Sequence, residues 1–117
     1  MKSDAVYFDD ILQSINAIGI HTQGLTRGQF DTNITAQDAV IRRIAIIGEA
    51  VSKLSEETKA SHQNIPWRDI VGMRNILVHK YDGVEMDFVW DVVQERLPEL
   101  RLVIESMLNE NDIKKLA

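Results

Sequence analysis

Ile65-Pro66-Trp67-Arg68-Asp69-Ile70-Val71-Gly72-Met73 runs directly into Arg74-Asn75-Ile76-Leu77-Val78-His79-Lys80-Tyr81. The first part reads as a helix opening at a proline, where a missing N–H costs nothing, with apolar residues returning on one side at helical spacing. The second part crowds a guanidinium, an amide, an imidazole and a phenol into the end of that helix, so the rest of the chain reads as scaffold for it. Asp82-Gly83 then supplies a strong turn signal.

Working outward, three further segments carry helical patterns. Val6, Ile11, Ile15 and Ile18, with Phe8 and Leu12, predict a first helix from Ser3 to about Thr22, capped by Ser3 or Asp4. Gly24 and Gly28 break it, and Thr26 to Thr32 predicts a short extra helix that tucks Phe30 against the core. Asn33 or Thr35 can cap a second long helix whose stripe is Val40, Ile44, Ile47, Val51 and Leu54, widened by Ile41 and Ile46. Ser55 to Asn64 reads as a frayed helix end and a connector. Beyond the turn, Asp87 is placed to cap a fourth helix reaching about Asn109, with Phe88, Val92, Leu97, Leu100, Ile104 and Leu108 as its stripe. Pro98 falls inside that helix and predicts a kink there rather than a stop. No segment alternates apolar and polar residues over a strand's length, so the fold class is all-α: an up-and-down bundle of four main helices plus a short extra one. Residues 1–110 read as one domain and 111–117 as a loose tail.

Composition narrows the function. The 117 residues, 44% of them hydrophobic, suffice for one core and are too few for two ordinary domains. The absence of cysteine excludes disulfides and thiolate chemistry and fits a cytoplasmic protein. The apolar run near the N-terminus is interrupted by Asp9 and Asp10, and no stretch approaches membrane-spanning length, so neither a signal peptide nor a membrane segment is expected. With 18 acidic and 13 basic residues the net charge is -5, which argues against bulk adhesion to nucleic acid and requires any such contact to be local.

Arg74, four intervening residues, His79, one more and Tyr81 resemble the Arg-x4-His-x-Tyr signature of the HEPN superfamily, and most closely its HepT-like toxins. The resemblance extends from about Ala39 through Met107 and includes Ile47-Gly48-Glu49-Ala50, Pro66-Trp67, Gly72-Met73-Arg74-Asn75 and Leu97-Pro98-Glu99-Leu100. It implies a helical homodimer with the two motifs near a shared cleft, and a metal-independent endoribonuclease acting as a toxin. It also implies an antitoxin partner, an MNT-type nucleotidyltransferase, that transfers AMP to the tyrosine matching Tyr81.

The residues support such chemistry on their own terms. Metal-free cleavage of RNA needs a base for the 2′-hydroxyl, a cation for the phosphoryl oxygens and an acid for the leaving 5′-oxygen. His79 suits the base or the acid, and Arg74 suits the cation. Tyr81 can bind or orient substrate, and Asn75 can hold a histidine tautomer. One motif contains one histidine, so a second subunit supplies the missing acid. On an unbroken helix Arg74 and His79 stand about 140° apart, while Asn75 and His79 share a face. The expectation is therefore a helix break near Val78 to Tyr81 together with cooperation across a subunit boundary.

Other residues admit two readings. Glu49 is either a partner of Arg74 or His79, or a solvent-side residue paired with Lys53. Arg42 and Arg43 either face solvent or touch RNA phosphate. Trp67 and Trp90 fall on apolar patterns and read as core anchors, whereas His21 and His62 look incidental. His79, Asp82 and Glu85 match no zinc or calcium spacing, so no metal or other cofactor is expected. The rival function is a non-enzymatic HEPN module binding a nucleotide or a partner through the same cleft.

Overall fold

The computed structural model describes residues 3–79 and 86–116, with side chains described for 3–74 and 86–109. Lys80 through Glu85, Tyr81 among them, lie outside the described residues, as do the side chains of Asn75 and His79. The described residues form helices α1 (Asp4–Thr22), α2 (Arg27–Thr32), α3 (Ile34–Ser52), α4 (Glu56–Ser61), α5 (Trp67–His79), α6 (Met86–Asp91) and α7 (Leu97–Leu116), with a π-helical turn, Val92–Arg96, between the last two. None is a strand.

Each element follows from local chemistry. In α1, Phe8, Ile11, Ile15 and Ile18 return every three or four residues and bury one face against α3 and α7. α2 is closed by a capping box, Thr26 accepting from the Gln29 N–H while the Gln29 side chain accepts from the Thr26 N–H. Its Phe30 is fully buried and lies against Trp90, ring centroids 5.2 Å apart. Asn33 then caps α3 by accepting from the Ala36 N–H, 2.9 Å away. The stripe Val40, Ile44, Ile47 and Val51 runs through the centre of the core, so α3 meets α1 on one side and α5 on another. That explains why its apolar face is wider than one partner needs.

Two expectations require correction. Ser55 to Asn64 is not only a connector, because Ser55 caps the short helix α4, accepting from the Thr58 N–H at 3.2 Å. Asp87 is not a cap: it sits inside the first turn of α6, where it pairs with Arg27 and ties that helix to α2. The expected kink in the fourth helix is present and takes the form of the π-helical turn just ahead of Pro98. Leu97 donates its N–H to the Val92 carbonyl five residues back. Pro98 has no N–H to return to Gln94 and its ring presses on that carbonyl, and widening the preceding turn relieves both. α7 itself runs to Leu116.

Polar joints align the helix ends. Trp67, at the start of α5, is buried and its indole N–H donates to the carbonyls of Lys59 and His62, at 3.2 and 3.0 Å. Asp4, at the start of α1, accepts from the Ser55 N–H and from the Ser55 and Thr58 hydroxyls. Partial burial alone would raise the Asp4 carboxyl, but those donors and the nearby Lys59 ammonium outweigh it and hold the group below its ordinary value of 3.8. Because the folded value is the depressed one, the joint stabilises at neutral pH and is lost as pH falls through it. In urea melts, Asp4→Ala is expected to cost about 1–2 kcal/mol at pH 7, allowing for the joint's partial exposure to water. The gap from the parent should close as pH falls through the depressed folded value of the Asp4 carboxyl.

Candidate active site

α5 is helical through His79, so the expected break does not occur before that residue. The α-carbons of Arg74 and His79 are therefore about 140° apart around the axis, and those of Asn75 and His79 about 40° apart. Helix register alone does not turn the guanidinium and imidazole positions of the motif to one side.

The described half of the site is built around Gly48 of α3. A β-carbon placed there would lie 2.5 Å from the Arg74 β-carbon and 3.4 Å from the Ile70 carbonyl oxygen. The missing side chain is what lets α5 close onto α3 at that level. Ile70 and Met73 are buried by the contact, and Arg74 emerges at its edge. Glu49, next in sequence and about 100° further around α3, comes out on the same edge. Its Oε2 lies 3.2 Å from Nη2 of Arg74, and its Oε1 lies 3.5 Å from Nζ of Lys53. Both readings of Glu49 are thus realised at once.

Magnitude decides what this ion pair does. The side chains are 38% and 45% exposed, and an exposed pair contributes at most about 1 kcal/mol. Its consequence is direction: one carboxylate oxygen takes one guanidinium nitrogen and draws the Arg74 side chain along the α3 edge. A guanidinium carries five N–H donors, so engaging Glu49 is compatible with binding an oxyanion as well. Trp67 and Trp90 are occupied in packing, as expected. From sequence Gly48 figured only within the family resemblance and was given no packing role, although a lone glycine in an apolar helical pattern is the signal that marks such a contact.

Comparison with known proteins follows from this geometry. The family model described as Ribonuclease HepT-like matches residues 11–107, from α1 into α7. The chain belongs to this HepT-like family. It is 40% identical over 116 residues to a Methanocaldococcus jannaschii protein named "Gamma-glutamylcyclotransferase and putative RNase", covering 98% of this chain and 52% of that one. The chain thus spans about half the length of that relative. It is 36% identical to a Thermococcus cleftensis protein named "Probable ribonuclease HepT", covering 86% of this chain and 91% of the other. A second Methanocaldococcus jannaschii protein, named "Putative RNase", is 36% identical over 82% of this chain and 88% of its own length. No solved structure matches. No helix among the described residues is long and apolar enough to cross a membrane.

The role given to Gly48 in this HepT-like chain is checked by comparing two glycines. Gly48→Ala forces a backbone-level clash and should destabilise by about 1–3 kcal/mol. Gly19→Ala, on the exposed side of α1 with nothing within 4 Å of the added carbon, should stabilise by about 0.5–1 kcal/mol. Opposite shifts of the urea midpoint are the expected result.

Proposed function

We propose that the protein is a metal-independent endoribonuclease, the toxin of a HEPN/MNT pair, which cuts RNA by 2′-hydroxyl attack at a site shared between two subunits. The observation that carries this reading is the continuity of α5 through His79, with Arg74 drawn away along α3 by Glu49. One helix then offers a cation and an imidazole in different directions, and a site needing both draws them from two copies. Family membership and the ribonuclease names of the relatives support the same reading.

In this mechanism His79 of one subunit takes the proton of the 2′-hydroxyl, and the 2′-oxygen attacks the adjacent phosphorus. Arg74 stabilises the charge gathering on the phosphoryl oxygens. The bond to the 5′-oxygen breaks, and that oxygen takes a proton from His79 of the second subunit, leaving a 2′,3′-cyclic phosphate and a 5′-hydroxyl. Placed acid and base catalysis of this kind contributes about 10²- to 10⁴-fold each. Asn75 holds the histidine tautomer, and Tyr81 orients the substrate. Transfer of AMP to Tyr81 by the nucleotidyltransferase antitoxin would place a bulky anion beside the motif and block RNA, which is how the pair is neutralised in this reading.

Activity in the presence of EDTA, with cyclic-phosphate product ends, is the expected result for the purified parent. His79→Ala and Arg74→Ala should each lower the rate at least about 100-fold. Re-forming dimers from a mixture of parent and His79→Ala chains should lower activity by more than dilution alone, because the mixed dimer holds one histidine where this mechanism uses two. Uncut RNA with a folded, dimeric parent would favour the binding-module alternative.

A further inference from the structure

Arg27, Lys53, Lys59, Arg74 and Arg101 each lie beside a carboxylate. Among the described residues Arg42, Arg43, Arg68 and Arg96 do not. α3 and α5 run antiparallel: Gly48 meets Ile70 and Arg74, whereas Ser52, further along α3, shares a groove with Arg68 and Gly72. Going back along α3 from Gly48, Arg42 lies six residues away, a rise of about 9 Å. The same rise along α5 from the contact level reaches its last described turn, at His79. Around α3, Arg42 stands within about 20° of Glu49, on the edge that flanks α5. Arg43 is turned about 100° further, away from that edge.

Arg68 belongs with Arg42. It precedes His79 by eleven residues, which on a continuous α-helix puts their α-carbons about 20° apart in direction and about 16 Å apart along the axis. Its side chain is exposed and lines an open groove of about 840 Å³ together with Lys59, Gln63 and Val71. Arg96 lines a second groove, between α5 and the π-helical turn, with Ile70, Met73 and Phe88, and Arg68 borders that groove as well. Arg42 therefore stands near the motif end of the α3/α5 seam and Arg68 at its opposite end, whereas Arg43 is turned away from it.

We infer that Arg42 and Arg68 are phosphate-binding residues of a track for single-stranded RNA across that seam, Arg42 beside the motif and Arg68 further along the strand. The inference rests on the ribonuclease reading for its substrate. Single strands are favoured because the 2′-oxygen must swing into line with the leaving 5′-oxygen, which the fixed backbone of an A-form duplex resists. Local, unpaired cations are also how a chain of net charge -5 can engage a polyanion.

The test is the affinity of the full chain for a short 2′-O-methyl oligoribonucleotide, which cannot be cut, measured by fluorescence anisotropy over a range of salt. Arg42→Ala and Arg68→Ala should each weaken binding about five- to tenfold and lower the salt slope by about 0.7. Arg43→Ala removes the same charge and should change affinity by less than about twofold. Equal weakening by all three variants would reduce the effect to net charge and overturn the track, as would an oligonucleotide the parent does not bind. Cleavage of unmodified RNA separates the two proposals. Cutting by the parent with binding unchanged in Arg42→Ala and Arg68→Ala overturns the track alone, whereas selective loss of binding with no cutting keeps the track and overturns the ribonuclease reading.

Discussion

The spacing of α3 and α5 is set by a side chain that is absent. With any β-carbon at position 48 the two helices would stand further apart, since that carbon would overlap Arg74 and press on the Ile70 carbonyl. With glycine, Ile70 and Met73 reach the core, and the residues bordering the contact are brought into register along one edge. Glu49 and Arg74 meet because each neighbours the point of closest approach. Packing and polar alignment here are one constraint, and a change that loosens the first also disperses the second.

A helix fixed at one point along its length can still turn about its axis. α5 is fixed at a second point, its N-terminal end, where the Trp67 indole donates to the last carbonyls of α4. α4 in turn begins on Ser55 and Thr58, which are held by Asp4 at the start of α1. A line of hydrogen bonds therefore runs from the first helix of the chain to the first turn of the motif helix. With rotation stopped at Trp67 and at Gly48, the direction in which α5 presents each position up to His79 is determined by residues far from the motif in sequence.

Much of this was legible before any coordinates. The stripes of α1 and α3, the capped short helix carrying Phe30 and the proline start of α5 follow from periodicity and capping, because burial dominates where apolar residues recur. α4 escaped because none of its residues is buried, so it has no stripe to read. Its signal was chemical instead: a serine followed by two glutamates in the first turn, the pattern that satisfies and complements free N–H groups. The π-helical turn escaped because Pro98 advertises a defect without stating where the chain absorbs it. For the site, Arg74 and Glu49 were both visible as candidates, yet the glycine that joins them looked like a gap in a pattern. Arg42 and Arg43 are indistinguishable as neighbours in a string, and only the position of α5 against α3 assigns them to different sides.

That assignment also resolves the tension between an acidic chain and a polyanionic substrate. Total charge governs attraction at distances beyond about 8–10 Å, where salt already screens it. At contact, what counts is which cations are committed to a carboxylate within the protein. Lys53 and Arg74 share Glu49, and Arg27 is taken by Asp87, so these positive groups are partly spent on holding helices. Arg42 and Arg68 are held by no carboxylate among the described residues and flank the motif helix. An acidic surface on which uncommitted guanidiniums border that seam disfavours bulk adhesion while leaving local contacts open there, which favours a defined strand path and makes the low net charge compatible with selectivity.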